Sequence, residues 1–238
     1  MKIELCAASM EAILLARKYE FDRIELCQNL EQGGMTPSPG FIEYSLACGV
    51  ETHVLIRPRP GGFRYNDDEV EIVLRDIREC KAIGAHGVVV GILDEAGWVH
   101  EQALEKIMLQ AEGMSVTFHR AFDDLVNYEK GLNTLIEHGV KRVLSSGLAS
   151  NVDLGFTNLQ RMLEYADGRI EIMSGGGVTG ANIARLYKEL QPDAIHFSAT
   201  AKQPLNEESK FSEIVLQVRE DKLIHLLKEV GRDVRISE

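Results

Sequence analysis

An α/β fold, the single-domain (β/α)8 or TIM barrel with an extended segment after its eighth strand, is predicted by three features of this 238-residue sequence. Eight short strand-like runs alternate with segments of helical period along the chain. Glycines such as Gly84, Gly139 and Gly168 stand where a helix hands over to the next strand, as a C-terminal cap at positive φ requires. The length suits one large core, and eight parallel strands joined by right-handed crossovers fit a closed barrel better than the runner-up, an open doubly wound sheet.

Taken in order, the first two strands are read at residues 2–7 and 22–28, on either side of a helix at Met10–Tyr19. Both strands carry the same tetrapeptide, Ile3-Glu4-Leu5-Cys6 and Ile24-Glu25-Leu26-Cys27. Side chains two apart on a strand share a face, so each copy presents a carboxylate and a thiol together. The third strand, 51–57, runs into a long loop at 58–67 whose Gly61 and Gly62 permit unusual backbone angles, and which is expected to cover the barrel mouth. A helix at Asp68–Ile83 and a strand at 87–93 follow, then a helix at Glu101–Glu112 and a strand at 115–120. Helices at Tyr128–His138, Asn158–Ala166 and Ala181–Leu190 separate the last three strands, read at 142–146, 170–174 and 194–198. Residues 200–219 are expected to form a peripheral loop or arm before a last helix at Asp221–Val230, folding back on the barrel or meeting another subunit of a homo-oligomer. The whole of 1–238 is read as one domain.

The formal net charge of −11 argues against nucleic acid as a partner, since a general phosphate binder needs a clustered excess of lysine and arginine. Cysteines at 6, 27, 48 and 80 form neither a dense disulfide framework nor a zinc ribbon, so reduced thiols and a cytoplasmic location are expected. The first twenty residues place Arg17 and Lys18 inside an apolar stretch and read as neither a signal peptide nor a membrane span. No membrane partner is expected.

Functional residues of such barrels lie at the C-terminal strand ends and in the loops that follow. With the Cys6 face inward, strand parity points Glu4, Cys6, Glu25, Cys27, His53, Arg57, Thr117, His119, His196 and Ser198 into the barrel. A bulge in the fifth strand would substitute Arg120 for His119. That interior is more polar than branched aliphatics alone would make it. Cys6 and Cys27 on neighbouring strands suit a soft ion, Cu(I) or zinc, provided their heights match; otherwise they are small core fillers. Cys48 and Cys80 fall on helices and are read as packing residues.

The segment Gly175-Gly176-Gly177 runs from the seventh strand into a helix, and with Ser198 after the eighth it could hold a small anionic or phosphorylated ligand. It could equally be a tight turn that needs glycine for geometry alone. An alternative to the metal reading is therefore an enzyme acting on such a metabolite, with Glu25, His119 and Arg57 carrying the chemistry.

Ile24-Glu25-Leu26-Cys27, Gly33-Gly34-Met35-Thr36-Pro37-Ser38, Ile56-Arg57-Pro58-Arg59, Thr117-Phe118-His119-Arg120-Ala121-Phe122-Asp123 and Gly175-Gly176-Gly177-Val178 together resemble the CutC copper-homeostasis family. The motifs stand in family order up to about residue 199, and the segment Ser145-Ser146-Gly147-Leu148-Ala149 departs locally from the family pattern. The resemblance implies a cytoplasmic barrel, an association with copper tolerance or trafficking, and copper as the ion bound. Cys6 and Cys27 occupy the positions of the cysteines proposed in that family as Cu(I) ligands. The resemblance implies no reaction, so the enzyme alternative stays open.

Overall fold

The computed structural model describes residues 1–204 and 214–232. Eight parallel strands close in sequence order into one barrel: β1 Lys2–Ala7, β2 Arg23–Leu26, β3 Thr52–Leu55, β4 Gly87–Val90, β5 Ser115–Phe118, β6 Arg142–Ser145, β7 Glu171–Gly175 and β8 Ala194–Phe197. The crossovers carry α1 Met10–Lys18, α2 Pro39–Ala47, α3 Asp67–Ile83, α4 Glu101–Gln110, α5 Tyr128–Glu137, α6 Phe156–Ala166 and α7 Ile183–Arg185, which continues into a π-helical turn at Leu186–Leu190. The predicted (β/α)8 barrel is the observed fold.

Local chemistry explains the helix ends. Ser9 caps α1 through its hydroxyl, and Asn66 and Glu69 form a reciprocal capping box at α3 that satisfies two otherwise unpaired amides. Gly84, at φ +95°, closes α3 in the left-handed region that a side chain would strain. α2 is not among the helices that periodicity predicts. It opens on Ser38 and Pro39, a capping hydroxyl followed by a proline whose missing N–H is an orphan in the first turn anyway, and its apolar residues form no clear stripe.

Alternation along the strands divides the core in two. Ile3, Leu5, Ile24, Val54, Val116 and Ile195 belong to one large cluster with the helices, packed outside the barrel wall. The residues between them point inside, where apolar contact shrinks to two small groups: Cys6, Cys27, Leu55 and Val89, and Leu144, Met173 and Ala194. The rest of the interior is polar. Fully buried Arg23 donates through Nε to Glu4 and through Nη2 to Met173 Sδ at 3.3 Å, while Glu4 also holds His196 Nδ1 at 2.7 Å. Register makes this triad, because Glu4 is the Cα partner of Arg23 on one side and of His196 on the other. Beside it Arg142 bonds Ser115, Thr117 and Glu171 at 2.9 to 3.0 Å and His53 Nδ1 at 3.3 Å.

Beyond β8, described parts of the 200–219 segment form an antiparallel pair, β9 Thr200–Pro204 and β10 Ile214–Val218, before α8 Glu220–Glu229. The Leu216 amide donates to Glu31 at 2.6 Å, so the pair reaches the loop that follows β2. Among the described residues no helix is long and apolar enough to cross a membrane.

Candidate metal and ligand site

The strand ends of β1, β2, β3 and β8 and the turn after β5 surround a cavity of about 150 Å³, lined by Cys6, Glu25, Arg57, His119, Arg120 and His196 with Leu30, Gly33, Leu55, Phe63 and Leu144. Phe63 comes from the 58–67 loop, which reaches the mouth as its glycines suggested.

Cys6 faces Glu25 in register, with its Sγ 3.9 Å from Glu25 Oε1. Cys27 lies two residues beyond Glu25, just past the end of β2, yet its Sγ is 3.8 Å from that of Cys6. The barrel stagger thus offsets the two tetrapeptides, and the thiols still meet. Cys27 is fully buried and lies beside Gly34, while Cys6 lines the cavity. Cys6, Glu25 and His196 each offer a donor atom within 4.8 Å of the others, the one such cluster among the described residues. With Nδ1 held by Glu4, His196 has Nε2 left for that cluster. Carboxylate support of this kind fixes the orientation and tautomer of a ligating imidazole.

Burial sets the charges. It pushes the Glu25 carboxyl up to about 7. Burial would also raise Glu4, but the hydrogen bond and charge of His196, with Arg23, outweigh it and hold Glu4 at about 2. Burial lowers His196, but the bonds to Cys6 and Glu4 and the charges of Glu25 and Glu4 prevail and hold its pKa well above the ordinary value. The hydrogen bond to Cys27 and burial raise the Cys6 thiol well above the free thiol range.

His119 sits at the cavity by a different logic. It follows β5 directly, and its Nδ1 accepts the Ala121 N–H at 3.1 Å, capping the 3-10 turn Arg120–Asp124. That turn brings Arg120 to the same cavity, so both candidates at the end of β5 line it. Gly91 makes room for the imidazole, since a Cβ there would stand 2.1 Å from the ring. Burial, with the nearby Arg57 charge, lowers the His119 pKa to about 3, so the ring is neutral. A depressed folded-state pKa contributes stability above the unfolded value of 6.5 and loses it as pH falls toward 3. His119→Asn keeps a cap acceptor and removes the titration. Its stability is expected to fall less steeply than the parent's between pH 6.5 and 3, by up to about 1.4 kcal/mol per pH unit, read by denaturation at stepped pH. Parallel profiles would contradict a neutral His119.

The remaining sequence candidates fall elsewhere. His53 is buried on β3, between Glu51 at 3.1 Å and Arg142, away from the thiols' cavity. Gly175 ends β7 against Leu144 and His196, Gly176 packs on Arg120, and Gly177 on Asn151. Ser198 bonds Thr200 at 3.1 Å and lines a separate cavity of about 230 Å³ with Thr179, Gly180, Lys222 and His225. That cavity is lined by Gly180 and by none of the three glycines. Sequence reasoning missed Arg23 and Arg142, although each opens its strand at inward parity. It also missed Asp123, which takes Ser145, Ser146, Leu148 and Arg120 and so ties the end of β6 to the turn after β5.

A family model described as the CutC family matches residues 1–201. The chain belongs to the CutC family. The family protein CutC of Enterococcus faecalis is 41% identical over 201 residues, covering 81% of this chain and 96% of its own. That of Glaesserella parasuis serovar 5 is 38% identical over 200 residues, covering 84% and 82%. Among solved structures, a candidate copper homeostasis protein, CutC of Streptococcus agalactiae, superposes with a TM-score of 0.78 at 33% identity, over 82% of this chain and 98% of its own. Deoxyribose phosphate aldolase of Aeropyrum pernix, at 17% identity and a TM-score of 0.60 over 83% of this chain and 86% of its own, shares the barrel alone. The CutC match ends inside β9, so β10 and α8 lie beyond it.

Proposed function

We propose that this CutC chain takes part in copper homeostasis by carrying Cu(I) as cargo, held by Cys6 and Cys27 at the barrel mouth with His196 as a third donor. The observation that carries the reading is the 3.8 Å separation of two thiols that are 21 residues apart in sequence. Taking a metal–thiolate bond of about 2.3 Å as a guide, two sulfurs on one ion stand about 4.6 Å apart when collinear with it and about 3.8 to 4.0 Å apart when bent. The spacing therefore favours bent coordination, which needs another ligand, and the cluster that joins Cys6 to His196 and Glu25 supplies one. Thiolate and imidazole donors suit Cu(I), whereas a carboxylate such as that of Glu25 suits harder ions.

All four cysteines are free, as cargo exchange in a reducing cytoplasm requires. Cys80 is buried in α3, and burial pushes its thiol up to about 12; Cys48 ends α2. Neither belongs to the cavity. An anaerobic titration against a chromophoric Cu(I) chelator is expected to show one tight equivalent, unchanged in Cys48→Ser/Cys80→Ser. No retained equivalent, or its loss in that variant, would overturn the proposal.

A further inference from the structure

The mouth contains a charge that the thiol site does not use. Arg57 is 6% exposed, and its guanidinium donates to the carbonyls of Gln32, Gly34 and Gly61 at 2.7 to 3.0 Å while lying 5.3 Å over the Phe63 ring. None of these carries a negative charge. Among the described residues no carboxylate comes within ion-pair distance of it, and its Nε has no partner. A buried cation without a counter-ion is costly, and buried charges are as a rule paired.

Two more buried atoms, on residues that line the same cavity, are orphaned: His119 Nε2 and Glu25 Oε2. Because His119 Nδ1 accepts a backbone N–H, the proton of the neutral ring sits on Nε2, which is therefore a donor. One cavity is thus lined by a cation that has no counter-ion and by a donor and an acceptor atom that have no protein partner. Of the other charges there, Arg120 faces Asp123 at 2.8 Å, and His196 shares Glu4 with Arg23.

We infer that the barrel mouth binds a small hydroxycarboxylate, its carboxylate set against Arg57 and the His119 Nε2–H and its hydroxyl donating to Glu25. Size and charge both limit the ligand. About 150 Å³ is the volume of an engineered cavity that admits benzene, so a skeleton of about six non-hydrogen atoms fits. One unmatched guanidinium and one N–H suit a monoanion with two acceptor oxygens. Phosphate would bring more acceptors than the site has unpaired donors. Leu30, Leu55 and Phe63 supply apolar walls for the carbon skeleton. The site goes beyond copper carriage and needs no thiolate.

The test uses the full chain, copper-free and reduced, with glycolate and L-lactate as probes and glycerol and inorganic phosphate as comparators. At about a hundredfold excess over Kd the acids are expected to raise the melting temperature by about 5 °C or more. Glycerol should do nothing, and phosphate should bind more weakly than either acid. Calorimetry on His119→Asn, folded at the assay pH, should show binding weakened about tenfold or more. Cys27→Ser, at a thiol outside the cavity lining, should bind the acids as the parent does while weakening Cu(I) binding, which separates this site from the copper reading. No shift with either acid, tighter binding of phosphate, parental affinity in His119→Asn, or loss in the thiol variant would each overturn the inference. The comparison of acids with glycerol and phosphate requires no variant, so it decides the matter even where a substitution prevents folding.

Discussion

Replacing Glu4 by glutamine lowers the stability of the fold by about 3 to 5 kcal/mol, because it strands the Arg23 guanidinium in the barrel interior without its counter-ion. Both side chains are fully buried, and Arg23 Nη1 already has no partner, so neither water nor a neighbour can take over. A domain's total stability is about 5 to 15 kcal/mol, so the loss is a large share of it. Denaturant unfolding would show it as a lower midpoint at unchanged slope. Removing both charges together, as Glu4→Leu with Arg23→Met, is expected to recover most of the loss, since a well-packed apolar pair avoids the desolvation of two ions. A loss below about 1 kcal/mol in Glu4→Gln would show that the pair does not hold the barrel floor. Acid should act in the same direction. The Glu4 carboxyl has its pKa depressed to about 2 from an ordinary 4.5, so its contribution is present above 4.5 and lost as pH falls through that window.

Replacing Cys6 and Cys27 together by serine weakens Cu(I) binding by about a thousandfold or more. The hydroxyls are hard, protonated donors, and what remains is one imidazole and one carboxylate. Each single replacement should cost less, because a thiolate and His196 remain. The competition titration gives the ratio directly. Affinity in the double variant within about tenfold of the parent would remove copper from the strand ends.

The barrel was legible because its outer wall is written in plain alternation: every second strand residue packs on the helices, and what is left faces inward. The polar interior followed from the same parity, including His119 and His196 at the mouth. Arg23 and Arg142 were missed because an arginine at the start of a strand reads as a solvated flank, and only closure of the barrel buries it. α2 was missed because the Pro-Gly opening resembles a turn and the helix has no clear apolar stripe. The thiol pair was legible as a repeat but not as a distance. The tetrapeptides are offset by two residues in register, Cys6 opposite Glu25, and that offset depends on barrel shear, which the sequence does not print. The three-glycine segment shows the limit of motif reading. The residues allow an anion cradle or a turn, and in the structure Gly176 and Gly177, at φ +99° and +75°, pack on Arg120 and Asn151.

The most direct test of copper carriage at the strand ends is the copper X-ray absorption spectrum of the protein loaded with one equivalent of Cu(I). Two sulfur neighbours and one lighter nitrogen neighbour are expected, the sulfur signal disappearing in Cys6→Ser/Cys27→Ser. A first shell of nitrogen and oxygen alone, or a sulfur shell that survives that double replacement, would contradict the account.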